Sequence, residues 1–293
     1  WIADYRDPHV DLNRDQLYWP QIQHAFNRQI MRQADIVTTV SEGLAQYFRR
    51  YCGHIYVLRN GISPQPAPLV SSPSSKKFTI TYTGSIYQDK QRADLLMSVL
   101  REMIDRQQIP ARALRLVYAG KDTGIWAHWI AHYGLEDVST AYAQLELPEA
   151  LDLQRQSHLN LLLSWSGPEI KGILTGKLYD YLAARKPILA IINGERGPEF
   201  ERLFQQTGAG LVTYHQQLGA RGILAAFLKQ HYRRWQRGEA ETPYFPKENL
   251  APFYWDALFD RFMEHLEERE MIPRRKNTLT PLPNPVESSL REF

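Results

Sequence analysis

The fold is decided by one stretch of the chain, residues 159–184, which reads LNLLLSWSGPEIKGILTGKLYDYLAA. Residues 159–163 form a short apolar run that is typical of a buried strand. Residues 176–184 have the apolar spacing of a helix, and Thr175 stands where an N-cap is expected. A buried strand, a loop and a helix in this order predict one unit of a parallel α/β sheet.

The same unit recurs on both sides of this stretch. The second block has predicted strands at 78–83, 114–118, 138–141, 159–163, 188–192 and 210–214, and predicted helices at 93–106, 125–133, 148–156, 176–184 and 198–206. This strict alternation predicts a complete doubly wound domain. The first block has predicted strands at 2–5, 36–40 and 55–59, with helices at 16–33 and 42–50, the latter capped by Ser41. By the same count the first block is an incomplete domain.

The predicted boundaries follow from changes in composition. Residues 1–62 form the first block, and the Pro- and Ser-rich residues 63–76 read as a linker. Residues 77–250 form the second domain, which includes a closing helix at 219–237. The segment 251–271, with a last helix at 252–271, is expected to cross back to the first block, and residues 272–293 are expected to be a disordered tail. Because residues 1–5 read as the interior of a strand, we expect the sequence to start inside a longer protein.

Composition excludes several functions. The balance of 35 basic and 32 acidic residues gives +3, which does not predict nucleic-acid binding. A single cysteine, Cys52, fits a reducing, cytoplasmic compartment, and no histidines have metal-ligand spacing. No apolar run is long enough to span a bilayer. The basic and aromatic run 231–237 favours a solvated helix face and leaves peripheral contact with a membrane as the alternative.

Two loops follow predicted strands at the edge where doubly wound sheets bind ligands. The first contains Gly84, which permits close approach of the backbone, and Lys90, which places a charge near a phosphate. Alone this pattern is weak. The second loop leads into a helix with Lys177 in its first turn, where acids are usual. A helix N-terminus with a lysine predicts an anion site, and Asp180 could accept hydrogen bonds from hydroxyls or pair with Lys177.

The residues of this helix resemble a known family. The run TGKLYDYLAARKPILA, residues 175–190, resembles the segment (S/T)-x-K-(L/I)-(F/Y)-E-Y-(L/M)-A-A-G-K-P-(I/V)-(L/I)-A of family-four glycosyltransferases, also called glycosyl transferases group 1, which have the GT-B fold. Four further segments resemble family motifs in the expected order: DYRDP (4–8), ADIVTTVSEGL (34–44), LRNGI (58–62) and ITYTGSI (80–86) followed by Lys90.

The resemblance implies two facing Rossmann-like domains and hexosyl transfer from a UDP- or GDP-sugar to a glycan or lipid-linked acceptor. It implies a retaining reaction with neither metal nor cofactor. Residues 1–62 would be the C-terminal part of the acceptor-side domain, and residues 77–250 the donor-binding domain. The candidate catalytic residues are Arg6, Asp7, Lys90 and Lys177. The candidate donor-binding residues are Gly84, Ser85, Lys90, Trp165, Glu169, Thr175, Gly176, Lys177, Leu178 and Asp180.

Departures from the family pattern leave an alternative open. Relatives carry an acid where this chain has Gly172, and Glu169 is near but in the wrong register. Ser85 stands where relatives often have arginine, and Arg185 replaces a glycine. Arg6 and Asp7 favour a structural Arg–Asp pair over a catalytic role. The alternative is a catalytically inactive GT-B module that binds a sugar nucleotide or scaffolds a partner.

Overall fold

The computed structural model describes residues 1–8, 18–63, 76–167, 171 and 174–272, and these form two sheets of parallel strands. The chain divides into two units, Trp1–Leu258 and Phe259–Phe293, and both sheets lie in the first unit. The predicted linker and tail, 63–76 and 272–293, lie almost entirely outside the described residues.

The first sheet has three strands within the described residues, in the order β1-β2-β3. They are β1 (Ile2–Tyr5), β2 (Ile36–Thr39) and β3 (Ile55–Val57), joined through helices α1 (Pro20–Gln33) and α2 (Glu42–Phe48). Ser41 caps α2 as predicted, because its Oγ accepts a hydrogen bond of 3.2 Å from the N–H of Leu44. The prediction of three strands in the first block is confirmed for the described residues.

The second sheet has six strands, all parallel, in the order β6-β5-β4-β7-β8-β9, as counted over the described ranges. The strands are β4 (Phe78–Thr83), β5 (Leu114–Ala119), β6 (Ser139–Tyr142), β7 (Leu159–Ser166), β8 (Ile188–Gly194) and β9 (Gly210–Tyr214). The helices are α3 (Asp94–Asp105), α4 (Thr123–His132), α5 (Leu147–Gln156), α6 (Gly176–Ala184), α7 (Pro198–Thr207) and α8 (Ala220–Gln236). The prediction of a doubly wound parallel sheet is confirmed.

Two hydrophobic cores cover the two faces of this sheet. Successive residues of β8 point to opposite faces, so Leu189 and Ile191 enter one core while Ile188, Ala190 and Ile192 enter the other. One core receives α3, α4 and α8, and the other receives α6 and α7. A continuous apolar run such as 188–192 is therefore what a strand buried on both faces requires.

Two predicted boundaries are corrected. Strand β7 runs on to Ser166, three residues beyond its apolar part, because it pairs with β8 as far as Ser166 and Gly194. The last predicted helix, 252–271, is two elements: a 3₁₀ helix, Lys247–Phe253, and helix α9 (Trp255–Glu268). Pro252 lies inside the 3₁₀ helix, and the regular helix begins three residues after it.

The run 231–237 is the expected solvated face only in part, since Arg233, Gln236 and Arg237 are exposed and the first two residues are not. His231 and Tyr232 are buried, because this side of α8 packs on the second sheet and its surroundings. The ring of His231 contacts Phe227 and Tyr244, and that of Tyr232 contacts Phe78.

No helix in the described ranges has the length and apolarity that a bilayer crossing needs.

A buried carboxylate joins the block of the first sheet to that of the second. Glu199, in the first turn of α7, accepts a hydrogen bond of 2.8 Å from the guanidinium of Arg59. Its second oxygen accepts one of 2.9 Å from the N–H of Glu42, the first residue of α2. Backbone hydrogen bonds also link Ile62 to Phe253 and Trp255. The return of 251–271 to the first domain stays a prediction.

Candidate functional site

The order of strands in the second sheet reverses between β4 and β7. From β4 the chain moves outward to β5 and β6, and it then returns to place β7 on the other side of β4. The loops that leave β4 and β7 therefore diverge and open a crevice at the carboxyl edge of the sheet. Such a switch point is where open α/β sheets bind ligands. Gly84 follows β4 and Gly176 begins the helix after β7, so two predicted segments border this crevice.

Gly84 is required by its backbone and by its neighbour. Its φ of +106° lies in a region that side chains rarely adopt, and its N–H donates to the carbonyl of Ala119 at 2.7 Å. A Cβ added at this position would lie 2.8 Å from Cε and 2.9 Å from Nζ of Lys177. Any side chain at position 84 would therefore displace the lysine, and the absence of one lets the lysine reach the loop.

Lys177 extends from the first turn of α6 beneath the loop after β4. Its Nζ donates a hydrogen bond of 2.8 Å to the hydroxyl of Tyr82 and lies 4.1 Å from the centre of that ring. Burial lowers the pKa of Lys177 from 10.5 to about 7, against the opposing effect of Asp122 and Asp180. A lysine with this pKa gains a proton readily when an anion arrives, which suits a site for phosphate.

Asp180 lies one helical turn beyond Lys177. Burial raises the pKa of its carboxyl from 3.8 to about 6, and the charge of Lys177 opposes this increase. Lys177 donates its hydrogen bond to Tyr82 and not to Asp180. The two residues therefore do not form the hydrogen-bonded pair that their spacing allows, and they interact only through their charges. The carboxylate is ionised above about pH 6 and can accept hydrogen bonds from ligand hydroxyls.

The start of α6 is only partly as predicted. Thr175 occupies the N-cap position with an extended backbone, but within the described residues its side chain makes no cap hydrogen bond. The expected side-chain cap is therefore corrected, and the first-turn N–H groups of α6 are not capped by this side chain. Gly176 is exposed beside it. Leu178 is fully buried in the core under α6, so it packs there and does not face the loop.

Lys90 points to an aromatic side chain. Its Nζ lies 5.5 Å from the ring centre of Trp165, and its carbonyl accepts a hydrogen bond of 2.9 Å from the amide of Asn193. Ser85 takes part in the loop through its carbonyl, which accepts a hydrogen bond of 2.7 Å from Tyr82. Lys90 and Trp165 are thus brought together, and Gly84 and Lys177 form a separate close pair.

The other predicted site residues belong to neither of these two pairs or lie outside the residues that the structure describes. Arg6 donates to Asp4 at 2.7 Å and to the side chain of Asn60 at 3.1 Å, so among the described residues its acidic partner is Asp4 and not Asp7 as expected. Asp7 is exposed. Relatives carry an acidic residue just before α6, where the chain has Gly172 with Glu169 nearby. Both residues lie outside the described residues. In the part of the chain that is described, no three His, Cys, Asp or Glu side chains are grouped to hold a metal ion.

The structure adds residues that the sequence did not indicate. Tyr82 holds the ammonium of Lys177, and Asp122 is close enough to raise the pKa of that lysine. Asp122 also accepts a hydrogen bond of 2.8 Å from the N–H of Ile86, which fixes the loop. Asp122 follows β5, the neighbour of β4, so the rule that selected Gly84 could have found it. Tyr82 lies inside a strand and carried no such signal.

Known proteins resemble this chain in structure and not in sequence. No family model matches the chain, and no curated protein matches it. Solved structures do match. WaaG, a glycosyltransferase involved in lipopolysaccharide biosynthesis, matches 88% of this chain with a TM-score of 0.60 and 13% identity. Sucrose-phosphate synthase from Thermosynechococcus elongatus matches 92% with a TM-score of 0.59 and 16% identity. The pneumococcal O-GlcNAc transferase GtfA, solved with UDP and GlcNAc, matches 83% with a TM-score of 0.56 and 16% identity.

The chain has the GT-B fold. It spans 73% of the length of WaaG, 68% of that of sucrose-phosphate synthase and 47% of that of GtfA. At identities of 13% to 16% the likeness shows the fold alone. The fold and the GT-B resemblance predicted from the sequence are confirmed.

Proposed function

We propose that the chain transfers a hexosyl residue from a UDP- or GDP-sugar to a glycan or lipid-linked acceptor. One observation carries the proposal: at the switch point of a GT-B fold, Gly84 in the loop after β4 lies against Lys177 in the first turn of a helix. Backbone N–H groups and an ammonium group are the donors that a diphosphate needs. GtfA was solved with UDP, as was TarM from S. aureus.

The proposed roles of the residues follow from the charge that develops on the substrate during the reaction. When the glycosidic bond breaks, negative charge develops on the leaving diphosphate, and Lys177 with the first-turn N–H groups of α6 would stabilise it. The sugar passes through an oxocarbenium-like state, as in related glycosyl chemistry. Asp180 would accept hydrogen bonds from the ribose hydroxyls. Retention of the anomeric configuration and independence of metal are part of the proposal because the family resemblance implies both.

The test is a calorimetric titration of the chain with UDP, GDP and ADP. We expect one nucleotide to bind, and Lys177→Ala to weaken it about tenfold or more, because a charge-assisted contact to phosphate is lost. Lys229→Ala is the matched control, since Lys229 is an exposed lysine on α8. Equal effects of the two variants, or no binding of any of the three nucleotides, would contradict the proposed site.

The same titration has a pH dependence that identifies the lysine. Because the pKa of Lys177 is about 7, its charge is present below that pH and is lost as the pH rises. Affinity should therefore fall between pH 6 and pH 8.5 for the native chain, relative to Lys177→Ala. The ratio of the affinities of the two proteins at each pH cancels the effect of the nucleotide's own titration. Binding without release of nucleoside diphosphate from its sugar conjugate would favour the inactive module over the enzyme.

A further inference from the structure

An aromatic pair stands beside the crevice that the proposed function uses. The ring centre of Tyr87, in the loop after β4, lies 5.1 Å from that of Trp165 in β7, and the planes are inclined by 54°. Tyr87 remains 52% exposed, although a large aromatic side chain is usually covered by packing. Tyr87 follows β4 and Trp165 lies in β7, and these are the two strands that flank the switch point.

The exposed ring is held on a rigid backbone. The N–H of Tyr87 donates a hydrogen bond of 3.0 Å to the side chain of Gln91, and its carbonyl accepts from Lys90 at 3.0 Å and Gln91 at 2.8 Å. Gln91 is itself buried, and its amide donates to the carbonyl of Leu163 in β7 at 2.8 Å. The position of Tyr87 is thus tied to the strand that carries Trp165. An aromatic ring whose backbone is already held in place loses less entropy when it binds a ligand than one on a mobile loop does.

A charge borders the pair. The ammonium of Lys90 lies 5.5 Å from the ring centre of Trp165, and Asn193 holds the backbone of this lysine from the end of β8. The surface therefore offers two inclined aromatic rings with a cation at one side. This combination fits a ligand that has an apolar face and a neighbouring negative charge.

We propose that Tyr87 and Trp165 form a platform on which a pyranose ring stacks. The C–H face of a pyranose would pack on the rings, and its hydroxyl groups would stay at the rim, where Lys90 and solvent can reach them. This inference rests on the proposed function, because it assigns the sugar part of the substrates to a surface beside the diphosphate site. The ring can belong to the donor or to the acceptor.

The test compares Tyr87→Ala and Tyr87→Phe with the native chain. The ligands are UDP, GDP, UDP-glucose, UDP-galactose, UDP-N-acetylglucosamine and GDP-mannose by calorimetry, and methyl glycosides of the same sugars by saturation-transfer NMR with the nucleotide present. We expect Tyr87→Ala to weaken the pyranose ligand about fivefold to tenfold and to leave the free nucleotide unchanged. Tyr87→Phe should bind like the native chain, because it keeps the ring. Tyr18→Ala, which removes an 87% exposed tyrosine at the start of α1, is the control.

Each outcome decides the inference. A loss confined to the sugar nucleotides assigns the platform to the donor sugar, and a loss confined to the glycosides assigns it to the acceptor. Equal weakening of the free nucleotide by Tyr87→Ala would overturn the platform, because the ring would then hold the base or the loop. No dependence on Tyr87 with any ligand would also overturn it. If no nucleotide binds, the proposed function fails separately, and the glycosides without nucleotide still test the platform.

Discussion

Replacing Lys177 with methionine is expected to stabilise the protein while it removes the candidate anion site. The lysine is partly buried, and its ammonium is enclosed by Tyr82 and Gly84, although no carboxylate in the described residues forms an ion pair with it. A charge held in this way destabilises the folded state until a ligand compensates for it. Methionine has a similar length and packs without a charge.

The magnitude follows from the pKa and the contacts. A pKa lowered from 10.5 to about 7 corresponds to an upper limit of about 5 kcal/mol against folding with the lysine charged. Solvent at the partly exposed side chain reduces this penalty. The hydrogen bond to Tyr82 and the contact with its ring, which methionine would lose, offset about 1–3 kcal/mol. We therefore expect Lys177→Met to raise the free energy of unfolding by about 1–3 kcal/mol at pH 7.

The sign of the pH dependence is determined by the same numbers. Between pH 7 and pH 10.5 the unfolded chain binds more protons at Lys177 than the folded chain does, so the stability of the native protein rises with pH in this window. The advantage of Lys177→Met should accordingly be largest at pH 7 and below. It should shrink as the pH approaches 10.

Urea unfolding followed by circular dichroism at pH 7 and near pH 10 measures both quantities, with Lys229→Met as the exposed control. The reasoning is refuted if Lys177→Met is no more stable than the native chain at pH 7. It is equally refuted if the gain in stability does not depend on pH.

Two further predictions concern the loop and the contact between the blocks. Gly84→Ala should lower the free energy of unfolding by about 1–3 kcal/mol, because of its positive φ and the clash with Lys177, and should weaken nucleotide binding; unchanged affinity in a titration would contradict this. Glu199→Ala should lower the free energy of unfolding by about 2–4 kcal/mol, because Arg59 loses a buried partner. The control is Glu201→Ala, two residues on in the same helix, which removes an exposed ion pair and should change the free energy of unfolding in urea by less than the experimental error. Equal losses of stability in the two variants would contradict a stabilising role for the buried contact of Glu199 with Arg59.

Much of the fold could be predicted because its signals are local. The apolar run 188–192 and the helical spacing of 176–184 need no knowledge of distant residues, and the cap at Ser41 depends on its own turn. The end of β7 was missed because residues 164–166 are held by pairing with β8, which their polar composition does not indicate. The burial of His231 was missed for a similar reason, since it depends on what α8 packs against.

The sequence by itself determined which residues stand at the carboxyl ends of parallel strands, because the order of strand, loop and helix along the chain sets that direction. This direction indicates Gly84 and Lys177 as candidate site residues. Only the tertiary structure decided that β7 lies beside β4, which brings these two residues into contact. Likewise, the enclosure by Tyr82 that lowers the pKa of Lys177 and the contact of Lys90 with Trp165 depend on neighbours distant in sequence. Strand order and burial arise from long-range packing, so no local pattern can specify them.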